Sequence, residues 1–109
     1  MAYDEDLAQR VRAVLGGRDV GERRMFGGLA FLVGGSMAVA AGEGGLMVRV
    51  DPGEAEALLR EPGVEQVVMG TRGPMRGWVR VQHRRLEDDR ALETWVRRGV
   101  AAAAVAPER

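Results

Sequence analysis

Between Arg23 and Val50 the chain runs RRMFGGLAFLVGGSMAVAAGEGGLMVRV, a series of short apolar segments cut at regular intervals by glycine pairs. Leu29, Phe31 and Val33 alternate with Ala30 and Leu32, and beyond Gly34-Gly35 the alternation resumes with Met37, Val39 and Ala41. A side-chain period of two belongs to a strand, and two adjacent residues that accept positive φ between such runs mark a tight hairpin turn. After Gly42-Glu43-Gly44-Gly45 a third run puts Leu46, Val48 and Val50 on one face and Met47 and Arg49 on the other. Residues 29–50 are therefore expected to form three strands of an antiparallel meander. Gly27-Gly28 separates them from a short strand around Arg23 to Phe26.

The flanking segments carry a different period. Leu7, Val11, Val14 and Leu15 form one stripe of a helix over residues 4–15, with Asp4 as its N-cap and Gly16-Gly17 as its stop. Arg18 to Glu22 is expected to be a polar connection. Asp51-Pro52 gives an N-cap followed by a proline at the first helical position, opening a helix to about Arg60 with Ala55, Leu58 and Leu59 inward. Val64 to Met69 and the alternating Arg76 to Val81 are expected strands. A last helix begins at Asp88 or Asp89 and presents Leu92, Trp95, Val96 and Val100 at helical spacing, with Gly99 weakening it by roughly 1 kcal/mol relative to alanine.

The order α-β-β-β-β-α-β-β-α predicts an α+β fold of two layers: a mainly antiparallel sheet of five to six strands with three helices on one face. Leu7, Val11, Phe31, Val39, Val48, Leu58, Val79, Leu92 and Val96 should meet in one core. At 109 residues the chain is expected to be a single domain that folds without disulfides, and it has no cysteine. The acidic start Asp4-Glu5-Asp6 is unlike a signal peptide and no apolar run reaches ~18 residues, so the expectation is a cytoplasmic protein without a membrane partner.

Chemistry-bearing residues are few. Ser36 follows a glycine pair but opens a strand, whereas a nucleophile elbow needs strand, turn, then helix. His83 is the only imidazole, and no set of His, Asp and Glu has metal-ligand spacing. The glycine clusters lead into strands, where a phosphate loop must deliver its amides at the start of a helix. No enzyme activity, cofactor or metal is expected.

The segment 72–85 stands apart, because Arg72, Arg76, Arg80, Arg84 and Arg85 occur in it with no acid among them and Trp78 in their midst. Alternation puts Arg76, Trp78 and Arg80 side by side on the face away from Val79 and Val81. With Arg49 and Met47 they are the candidate partner-binding residues. Three readings stand: arginines on phosphates with a base stacked on the tryptophan, an anchor for a protein partner, or a tryptophan covered by arginine stems as ordinary packing. Net charge is zero and Glu87, Asp88 and Asp89 follow closely, which favours the protein contact over nucleic acid. A sheet covered on one side also predicts self-association, as a homodimer through the open face or edge.

Taken together, Tyr3 to Leu7, Arg24-Met25-Phe26-Gly27-Gly28-Leu29-Ala30-Phe31, Leu46 to Val50 and Pro74-Met75-Arg76-Gly77-Trp78-Val79 resemble the N-terminal domain of the TfoX/Sxy family. The resemblance covers nearly the whole chain. Met25, Phe26, Gly27 and Gly28 are its most specific motif, and that motif is structural. It implies a secretion-chaperone-like α+β domain from proteins associated with the regulation of natural competence in bacteria, and it brings no catalytic residue or cofactor. Competence regulators of the family carry a second, C-terminal helical domain that has no counterpart in these residues, so a stand-alone domain is expected.

Overall fold

The computed structural model describes residues 5–16, 19–25, 27–42, 44–68 and 73–105. Three helices and six strands follow the expected order: α1 (Glu5–Leu15), β1 (Val20–Met25), β2 (Gly28–Val33), β3 (Ser36–Gly42), β4 (Gly45–Arg49), α2 (Pro52–Leu58), β5 (Val64–Val68), β6 (Pro74–Val81) and α3 (Asp89–Ala104). A short 3-10 helix, His83–Arg85, leads into α3. The strands form one antiparallel sheet in the order β1-β2-β3-β4-β6-β5. All nine residues expected in the core lie in one buried cluster, to which each helix contributes. Leu7 and Val11 come from α1, Leu58 from α2, and Leu92 and Val96 from α3.

Local chemistry sets the helix ends. Asp51 Oδ1 accepts a hydrogen bond from Gly53 N at 3.1 Å, capping α2 with Pro52 at its first turn. The expected cap Asp4 lies outside the described residues. Gly99 has a role that helix propensity does not show: a Cβ there would sit 2.5 Å from Ala38 O and 2.8 Å from Val39 Cγ1. Its absence lets α3 rest directly on β3.

Two expectations about the strands are corrected. Residues 20–22 belong to β1 and not to a connection, with Val20 opposite Val33. Gly21 to Arg24 are exposed because β1 is an edge strand, and charged edges block pairing with further chains. The second correction concerns β3. Phe31 pairs with Val39 and Leu32 with Met37, so Ala38 is an extra residue in the ladder. A bulge of this kind reverses the side-chain alternation beyond it. Met37 therefore leaves the face of Val39 and Ala41 and packs with Ala30, Ala40 and Met47 on the other.

Arg12 ties α1 to the edge strand through two bonds to the Glu22 carboxylate, Nε at 2.6 Å and Nη2 at 2.9 Å. The hydrogen bond from Arg12, opposed by desolvation and aided by the Arg12 charge, lowers the Glu22 pKa below its ordinary 4.5. A folded-state pKa depressed in this way contributes stability above the unfolded pKa and loses it as pH falls through the folded one. Arg12→Ala is expected to return the Glu22 titration upward toward its ordinary range. Side-chain carboxyl shifts followed by NMR from pH 2 to 7 check this, and an unmoved midpoint contradicts it.

Candidate functional site

The arginine-bearing face is built at the junction of β4, β6 and the C-terminal end of α3. β6 is interrupted at Gly77, which has φ +84 within the strand, and its carbonyl accepts a hydrogen bond from Val50 N at 2.8 Å. A positive φ of this size disfavours any residue with a Cβ, so the kink depends on glycine. Alternation fails across it. Met75 and Trp78, three residues apart, pack in the same apolar cluster. The expected row Arg76-Trp78-Arg80 is therefore broken, with Arg76 exposed and Trp78 buried.

Trp78 is only 7% exposed, packed with Ala30, Ala40, Met47 and Val67 and flanked by Met25, Met37 and Met75. Arg49 lies across its ring, with the guanidinium carbon 5.6 Å from the ring centroid, and donates from Nη1 to Met37 O at 3.0 Å. Of the three readings of Trp78, packing beneath an arginine describes its position. Met47 is buried at 4% in the same cluster. The sheet face expected to be partly open thus has a small core of its own, and the large apolar side chains that stay exposed among the described residues are Val68 and Val105.

Three of the five candidate residues come together. Arg49, Arg76 and Trp78 line a cleft of about 260 Å³ whose other walls include Val50, Pro52, Ala102 and Val105. Arg76 is exposed and makes no ion pair or hydrogen bond among the described residues. Asp51, also at the wall, has its carboxylate engaged with Gly53 N. Val105 stands 81% exposed just beyond α3. Arg80 is elsewhere, opposite Met47 and Glu65 in the ladder and close to the turn at Gly44. Arg72 and Phe26 lie outside the described residues.

Several other arginines are paired with nearby carboxylates. Arg10 meets Asp89 at 2.9 Å, Arg85 meets Glu61 at 3.0 Å and Arg97 meets Glu93 at 2.7 Å. At the cleft, by contrast, two arginines that form no ion pair among the described residues border apolar surface, with the Asp51 carboxylate also at the wall. Ala102 and Val105 were not foreseen as part of it, because only the fold brings the last helix beside residues 49–52. Among the described residues no group of three or more His, Asp or Glu could hold a metal ion. No helix there is long and apolar enough to cross a membrane.

The rest of the motif at residues 25–28 is structural in position. Gly27 forms the β1–β2 turn, and a Cβ on Gly28 would fall 2.3 Å from Ala41 O, so the second glycine allows β3 to close on β2. A family model described as the TfoX N-terminal domain matches residues 13–103. No curated protein and no solved structure matches the chain.

Proposed function

The chain belongs to the TfoX N-terminal domain family, and from that footing we propose that it is a non-catalytic, cytoplasmic module that binds a protein partner at the Arg49–Arg76 cleft. The observation that carries this reading is the pair of guanidiniums that form no ion pair among the described residues, beside Val50, Pro52, Ala102 and Val105. Arginine next to apolar surface is the composition of a protein-binding hot spot. A regulatory role of the kind the family resemblance carries fits a module that acts by contact. The second reading is a nucleic-acid contact, favoured by Arg76 and Arg80, which both lack ion pairs among the described residues. Against it, the Trp78 ring is covered by Arg49 and offers no free face to a base.

Salt separates the two readings. The immobilised protein is used to capture partners from the cells it comes from, once with nuclease and once without it, and nucleic acid bound in the nuclease-free sample is quantified. The expected result is a protein retained with little loss between 50 and 200 mM salt, conditions that weaken duplex binding through two phosphate contacts by roughly tenfold. Arg76→Glu is expected to abolish its retention. Duplex or single-stranded nucleic acid bound below about 1 µM, with a steep salt slope that Arg76→Ala and Arg80→Ala reduce, overturns the proposal.

A further inference from the structure

We infer that the segment of partner received by this cleft carries a carboxylate beside an aliphatic or aromatic side chain, an inference that rests on the protein-binding reading. Arg49 is held in place on two sides, by its Nη1 bond to Met37 O and by the Trp78 ring beneath it. Its other guanidinium N–H groups have no hydrogen-bond partner among the described residues. A guanidinium fixed before binding loses little freedom when it meets an anion, and its planar fork matches a carboxylate. Arg76 adds a second positive charge on the same cleft.

The remaining walls select what must accompany the charge. Val50, Pro52, Ala102 and Val105 offer nothing to hydrogen-bond through their side chains, so an apolar group is the complement on that side. At about 260 Å³ the cleft is smaller than the roughly 300–1,000 Å³ usual for small-molecule sites. It adjoins a second hollow. Asp51, Ala102 and Val105 are common to both, and the second extends along α3 past Glu54, Arg97 and Arg98. A small mouth opening into a longer groove suits a peptide segment that inserts one side chain and continues along the helix.

The test uses a displayed library of random heptapeptides selected on the full chain at 0.15 M salt. Enriched sequences are expected to contain Asp or Glu next to Leu, Ile, Val, Met or Phe. Changing the acid to its amide should weaken binding about tenfold, and Arg76→Gln should do the same. The two changes together should cost less than the sum of the two alone, since Arg76 acts through the same carboxylate. Arg76 is exposed and makes no bond among the described residues, so its substitution leaves the fold intact, which near-ultraviolet circular dichroism verifies. Strictly additive losses, or enriched peptides with no acid, overturn the inference. If such acid-free peptides are nonetheless lost with Val105→Asp, the cleft binds protein and the reading beneath the inference survives. No enrichment at all overturns the inference alone, because capture of a folded partner is measured separately. Selected peptides displaced by duplex DNA, with DNA binding itself lost in Arg76→Gln, sink both.

Discussion

Trp78→Ala is expected to lower folding stability by about 3–5 kcal/mol, the usual cost of emptying a large aromatic site in a packed interior. The residue is 7% exposed and joins Ala30, Ala40, Met47 and Val67 in the second apolar cluster. The small neighbours cannot close the space, and Arg49 loses the ring on which it lies. Urea unfolding, followed by circular dichroism with the isolated chain, is the measurement. The midpoint should fall with the slope unchanged, since the surface exposed on unfolding stays about the same. A loss below about 1 kcal/mol, together with a lost partner interaction, would mean that Trp78 is an exposed anchor and that the cluster is not a core.

Gly45→Ala should be comparably damaging, by roughly 3 kcal/mol or more, from two causes that add. Gly45 has φ +131, a conformation that side chains rarely adopt, and it begins β4 between β3 and β6. A Cβ there would lie 2.1 Å from Val81 O and 3.0 Å from Val81 C. These are backbone atoms of the neighbouring strand, so relief requires β4 and β6 to separate. Their separation would reach the cleft through Arg49 and Trp78, which face each other in the ladder. Thermal unfolding of the variant beside wild type decides the matter, and an unchanged midpoint contradicts the register.

Periodicity made the helix-facing core legible in the sequence. Phe31, Val39, Val48 and Val79 share one face across four strands because alternation holds between the bulges. It failed where one residue was added to a strand. Nothing in Ser36-Met37-Ala38-Val39 marks Ala38 as the extra residue, since small and apolar side chains suit either face. Gly77 was a visible signal for a break in β6, and its consequence for Arg76 followed only from the observed φ. The edge strand at Val20 to Glu22 was hidden because an exposed, charged strand lacks the apolar alternation by which strands are recognised. Arg49, Arg76 and Trp78 were identifiable as residues of interest, but their cleft was not. One side of its wall comes from Ala102 and Val105, residues whose composition says only that a helix passes there.

Backbone amide shifts of the ¹⁵N-labelled chain, recorded with and without the captured partner, test the central claim most directly. Arg49, Asp51, Gly77, Ala102 and Val105 line the cleft and should move together and saturate with a single affinity. Shifts confined to Arg23 and Arg24 on β1, or to Val64–Val68 along β5, with the cleft amides unmoved, would place the partner on a sheet edge and contradict it.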